Sequence, residues 1–211
     1  MKTEMLIGAL VQDSSADWDF DRTVWVAMTS GSLIAGVIFF VGVGFRPDIA
    51  YATETIRFLF KFVVTVPLAI AAMAAMERAG RPGSSFGLPG WALGILPLIL
   101  GCAVLVELIM VPESLWTSRL VGSNARVCLT LIPLLAMGPL ACFLVALRRG
   151  APTRPGLAGA LAGLAASGIA ATFYATNCID DSPLFVATWY PIATSMVVAT
   201  GYLAGCQLLK W

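Results

Sequence analysis

The chain contains no histidine at all. That removes the commonest metal ligand and the usual general base near neutral pH. Charge is also scarce. Only 12% of the 211 residues are Asp, Glu, Lys or Arg, where a soluble domain carries about 25%. The net charge of +1 gives no electrostatic argument for a polyanionic partner. There is no Cys-x-x-Cys pair, no glycine-rich phosphate loop and no metalloprotease helix motif. Five cysteines in so apolar a chain do not form a disulfide framework. A secretory leader is not expected either. Apolar residues do not accumulate until Val24, and Asp13, Asp17, Asp19 and Asp21 precede it.

What is present is apolar length. Residues of hydrophobic type make up 59% of the chain, and the mean hydropathy is +0.88. The apolar runs fall at about 24–43, 56–76, 91–110, 127–147, 157–174 and 184–209, each about the 20 residues that cross a bilayer as a helix. Lipid offers no water to backbone groups, so helices are the spanning form expected. The fold class expected is therefore all-α, an integral membrane bundle of six transmembrane helices. Six spans place both termini on one side. Lys2, Arg22, Arg78, Arg81, Arg148, Arg149, Arg154 and Lys210 share that side, against Arg46, Arg57, Lys61, Arg119 and Arg126. The excess of basic residues makes the termini cytoplasmic. Trp116, Tyr174, Trp189 and Tyr190 are then expected in an outer aromatic belt.

Two domains are expected: a cytoplasmic segment, 1–22, and a transmembrane domain, 23–211. In the first, Met5, Leu6, Ile7, Leu10 and Val11 fall on one helical face, which suits docking to a groove on a partner; a disordered tail in the free protein fits the segment equally well. Gly159/Gly163 and Gly201/Gly205 form two GxxxG steps, read as close packing within one bundle. Pro67, Pro97, Pro133, Pro139 and Pro191 fall inside spans, where kinks are expected. Glu107, Arg57 and Lys61 lie near the outer boundary. Snorkelling to water is their default, and a Glu107 pair with Arg57 or Lys61 is the sharper alternative. No charge is evident at midplane, which argues against a transporter.

Cys102 and Cys142 lie deep in apolar spans and Cys206 near the inner end of the last. Cys128 and Cys178 differ. They stand about 20 and 23 residues either side of the basic link beginning at Arg148, so helical legs of about 30 Å bring both to the outer boundary. Arg126 beside Cys128 favours a thiolate, and Asp180 and Asp181 oppose one at Cys178. A functional thiol pair and two incidental cysteines both fit this spacing.

The ordered set of Cys128 at the head of span four, ALRRGAPTRPGLAGALAGL, YATNC before an acidic loop, SPLFVATWY and the ending LLKW resembles the NrsF family of bacterial membrane anti-sigma factors. MKTEMLI also resembles the family's opening. Two stretches depart from the pattern: YATNC, where a histidine often precedes the cysteine, and DWDFDRT, where proline and arginine are commoner. The resemblance implies a multi-pass protein of the bacterial inner membrane. Its 1–22 segment would hold an extracytoplasmic-function sigma factor. It would release that partner when Cys128 and Cys178, facing the periplasm, meet an oxidant or a soft metal ion. It implies a regulator that is not an enzyme, with no cofactor and no direct contact with nucleic acid. The alternative from the residues is a membrane thiol-disulfide oxidoreductase using Cys128 and Cys178. Cysteines alone suit soft ions, so a metal-ion transporter is the third and weakest reading.

Overall fold

A computed structural model describes residues 20–209. Most of the expected docking segment, including Met5, Leu6, Ile7, Leu10 and Val11, lies outside the described residues, as do Lys210 and Trp211. Six long helices carry the fold: α1 (Phe20–Gly42), α3 (Ile56–Ala79), α4 (Gly87–Met110), α6 (Ala125–Leu147), α7 (Pro155–Ala175) and α8 (Pro183–Leu208). Two short ones, α2 (Ile49–Ala52) and α5 (Trp116–Val121), lie in connections at one end. There is no strand among the described residues. All six long helices have the length and apolarity to cross a membrane, so the chain is a multi-pass, all-α membrane protein.

Helix α7 is the centre. Fourteen of its 21 residues are buried, almost all Ala or Gly. It touches α8, α3, α6 and α1. Small residues let neighbouring backbones meet, and in lipid that close van der Waals packing is what holds helices together. A methyl on Gly163 would lie 2.6 Å from the Val197 carbonyl oxygen, and one on Gly205 would lie 2.9 Å from Gly159 Cα. On the other side, a methyl on Gly168 would lie 2.8 Å from Ala69 Cα of α3. The two GxxxG steps therefore face each other within one chain. Helix α4 is the outermost, with only Pro89, Leu96 and Glu107 buried. All five prolines noted above sit inside helices.

The two ends of the bundle differ in chemistry. One carries Arg46, Lys61, Glu107, Arg119, Asp180 and Asp181 in direct ionic or hydrogen-bonded contact. The opposite end is closed by the Phe20 ring. It fills a notch where Gly80 and Gly150 lack side chains, and Ala151 N donates to Gly80 O at 3.0 Å beside it. Arg81 bridges Asp21 and Glu77 there.

Candidate functional site

The charged end is organised by one loop, residues 176–182, between α7 and α8. Its groups reach several helices. Cys178 O accepts from Lys61 Nζ of α3 at 2.7 Å and from Arg46 Nη1 at 3.3 Å. Asp181 takes Lys61 at 2.5 Å and Arg46 at 2.9 Å. Arg46 follows α1, and Asn177 Nδ2 donates to Gly44 O in the same turn at 3.1 Å. Asp180 Oδ2 accepts from the backbone N–H groups of Ser123 and Asn124 at 3.0 and 2.8 Å. Those are unpaired donors at the start of α6, where an anion also suits the helix dipole. Gly122 makes this possible. Its φ of 58° lies in the left-handed region, and a Cβ there would sit 2.8 Å from the Asp180 carboxylate.

Ser182 closes the loop as the N-cap of α8, accepting from Leu184 N at 3.2 Å. It donates in turn to Glu107 Oε2 at 2.8 Å, and Leu184 N donates to the same oxygen at 3.2 Å. Glu107 Oε1 meets Arg119 at 2.8 Å and Arg57 at 3.7 Å. One loop thus ties α1, α3, α4, α6 and α8 together at this end of the bundle.

Both loop-end thiols are inside. Cys128, in the first turn of α6, and Cys178 are completely buried and are free thiols. Cys178 Sγ points to Asp180 O at 3.7 Å. The Tyr174 hydroxyl donates to Asn124 O at 3.4 Å and faces both thiols. The Tyr190 ring packs against Tyr174 with centroids 5.9 Å apart. Burial pushes the Cys178 thiol up from its ordinary pKa, with the Lys61 ammonium opposing. Arg46 is held more firmly protonated than usual by hydrogen bonds to Asp48 and Asp181, and Asp48 is held below the usual carboxylate range by Arg46. Over the loop opens a polar cavity of about 360 Å3, lined by Arg57, Arg119, Asp180 and Asp181 among others.

The family described as negative regulator of sigma F, NrsF, matches residues 10–211. The chain is similar to the anti-sigma-F factor NrsF of Caulobacter vibrioides, 34% identical over 216 aligned residues that cover 100% of both chains. It is also similar to the probable anti-sigma-F factor NrsF of Azospira oryzae, 30% identical over 214 residues with the same coverage. The chain belongs to the NrsF family. No solved structure matches it. The NrsF relatives carry the names of regulators rather than of enzymes.

In this NrsF chain Cys128 and Cys178 are both buried at the same end, where Tyr174, Asn124 and Asp180 link the start of α6 to the Cys178 loop, as their helical legs predict. The Glu107–Arg57 pair forms. Three expectations need correcting. Lys61 does not snorkel: it is 0% exposed and pairs with Asp181 rather than Glu107. Glu107 is likewise buried, because three donors surround it. Tyr174 and Tyr190 are not belt residues; both pack beside the thiols. Trp116 and Trp189 bond to Val111 O and Leu120 O.

A signal for Lys61 was in the sequence. Phe58, Lys61, Thr65, Ala69, Ala72 and Met76 share one stripe at helical spacing, and its far end is made of small core residues. Arg46 and Asp181 gave no comparable signal, since both lie in connections whose path a helical period does not describe.

Proposed function

We propose that the chain is a membrane anti-sigma factor. It holds an extracytoplasmic-function sigma factor through residues 1–22 and releases it when Cys128 and Cys178 react with an oxidant or a soft metal ion. The 23–211 domain is the sensor, with the thiol loop facing the periplasm and both termini in the cytoplasm. The observation that carries the reading is the position of Cys178: its own carbonyl and the side chains of Asp180, Asp181 and Ser182 hold the outer ends of five helices. A change at that thiol cannot stay local. Oxidation joins Sγ to Sγ, with two protons and two electrons passing to the oxidant; a soft cation such as Cd²⁺ or Hg²⁺ displaces the two protons instead. Either product places new bonds where Tyr174 and the buried loop are close-packed. Such a product favours whichever arrangement of the bundle accommodates it. The names of the relatives support the sigma-factor partner. The polar cavity above the loop is the route in for ions and small oxidants.

Retention of the sigma factor in membranes tests this. Wild type, Cys128→Ser and Cys178→Ser are compared with and without diamide or Cd²⁺, beside a chain lacking residues 1–22. Release from wild type only, and no retention by the truncated chain, are expected. Equal behaviour of all three full-length chains under both stimuli refutes the thiol switch. Retention without residues 1–22 refutes the docking segment.

A further inference from the structure

The end of the bundle opposite the thiol loop is strongly basic. Among the described residues it carries Arg22, Arg78, Arg81, Arg148, Arg149 and Arg154, against the two acids Asp21 and Glu77. Of the six arginines all but Arg78 are exposed. They come from four elements: Arg22 from the first turn of α1, Arg78 and Arg81 from the end of α3, Arg148 and Arg149 from the end of α6, and Arg154 from the start of α7. The Phe20 ring between Gly80 and Gly150, and the Ala151 N–H donated to Gly80 O at 3.0 Å, hold these ends together. A hollow of about 420 Å3 opens beside the ring, walled by Arg81, Pro82 and Ala151 among others. The sequence places the opposite charge next to it. Residues 13–19 read DSSADWD, three aspartates and no basic residue, and lead directly into Phe20. With Phe20 seated in its notch, chain length alone keeps the Asp17 Cα within about 11 Å of it and the Asp13 Cα within about 25 Å. Asp21 belongs to the same acidic run, and it already pairs with Arg81 of the α3 end.

We propose that this basic face is the docking surface of the chain's own acidic segment, residues 13–19. The Asp21–Arg81 pair is the part of that contact within the described residues, and Asp13, Asp17 and Asp19 extend it over the neighbouring arginines. A short tether presents the segment at an effective concentration on the order of millimolar, an advantage that no partner arriving from solution has. Exposed ion pairs hold weakly one by one, so the contact forms and releases readily, and salt weakens it. Because the cations come from four elements, the surface exists only while the ends of α1, α3, α6 and α7 stay together. The regulatory consequence, though not the docking, rests on the sigma-factor reading: docking fixes where residues 1–12 leave the bundle, and a rearrangement that parts those helix ends lets them go.

The test measures the distance between spin labels at Ser15→Cys and Thr153→Cys by double electron–electron resonance. It uses the full chain, its five native cysteines replaced by serine, in phosphatidylcholine nanodiscs without a sigma factor. One narrow distance distribution is expected at low salt. It should be lost in about 1 M NaCl, where the screening length falls to about 3 Å. It should also be lost in an Asp13→Asn/Asp17→Asn/Asp19→Asn chain and in an Arg149→Gln/Arg154→Gln chain, both with the melting temperature of the parent. A broad distribution in the parent overturns the proposal. So does a narrow one that survives either set of substitutions, since charge then does not hold the segment. Loss of the narrow distance when phosphatidylglycerol makes up part of the lipid also overturns it, because the face then belongs to lipid headgroups. No sigma factor takes part, so failure here leaves the sigma-factor reading standing, and failure of sigma-factor retention leaves the docking standing.

Discussion

Lys61→Met removes the buried cation beneath the thiol loop and keeps most of its volume. In the native loop Lys61 Nζ reaches Asp181 at 2.5 Å and Cys178 O at 2.7 Å, and lies 5.7 Å from the Phe58 ring centroid. Removing one partner of a fully buried pair costs about 3–5 kcal/mol. Asp181 keeps Arg46 and is 19% exposed, so water and one cation still solvate it, and about 2–3 kcal/mol is the better figure. That loss falls on the loop. If labelling of Cys178 requires the loop to open, the open population rises by about 30- to 150-fold, at about 1.4 kcal/mol per factor of ten. The cation also favours the Cys178 thiolate, so its loss slows the reaction of any closed form. In the open form the thiol is in water with an ordinary pKa, so opening dominates the sign. The assay is the maleimide labelling rate of Cys178 at pH 7.5 in a chain whose other four cysteines are serine. An Asp181→Asn change added to Lys61→Met should restore part of the protection, because the uncompensated carboxylate is then gone. A labelling rate unchanged by Lys61→Met would refute the argument that Lys61 clamps the loop.

Gly159→Ala should lower the melting temperature in detergent by an amount equivalent to about 1–3 kcal/mol, because its Cβ overlaps the Gly201 carbonyl oxygen, whereas Gly101→Ala on α4 meets nothing and should be neutral. The Cys178 thiol is raised above its ordinary value of 9.0 by burial, so its neutral form contributes stability below that pH and loses it as pH rises further; alkaline loss of loop protection above about pH 9 should vanish in Cys178→Ser, as hydrogen exchange would read. Glu107→Ala should expose the start of α8, leaving Ser182, Leu184 N and Arg119 without their shared acceptor, and should cost about 2–4 kcal/mol by thermal unfolding. Gly122→Ala should loosen the start of α6, seen as faster exchange of the Ser123 and Asn124 amides, because Asp180 can no longer approach them.

The fold was legible because membrane spanning imposes a simple rule. Apolar length alone marks each helix, and the observed ends differ from the marked stretches by at most four residues. That Cys128 and Cys178 stand at the same end was legible for the same reason, since two legs of about 20 and 23 residues share one link. The Gly159/Gly163 and Gly201/Gly205 steps were legible as contact surfaces, because small side chains in lipid have few other uses. The polar clamp was not. A cation near a helix end satisfies the same composition rule whether it points out or in, and only the stripe shared with Ala69 and Ala72 distinguishes Lys61 from Arg57, which is half exposed. Tyr174 and Tyr190 misled for a related reason. Aromatic residues with a polar tip suit an interface, but Tyr174 stands on a helix enclosed by its neighbours and Tyr190 on the inward face of α8.

The placement of charge limits how the two ends of the bundle communicate. Inside the long helices no Asp, Glu, Lys or Arg occurs between Lys61 and Glu77 of α3, and none occurs in α7 or α8. An electrostatic signal therefore has no relay through the middle. What does run through is rigid backbone. Helix α3 carries Lys61 at the thiol end and leads to Gly80 about 28 Å away. Helix α1 leads from the turn held by Arg46 and Asn177 to Phe20 in the notch beside Gly80 and Gly150. The close glycine and alanine contacts of α7 with α3 and α8 leave few voids to absorb a shift. On the proposed reading, release of the Cys178 loop frees α1 and α3 together. The displacement arrives at the one aromatic plug from which residues 1–19 continue, so a Phe20→Ala chain should retain its thiol chemistry and lose the coupling of sigma-factor release to it.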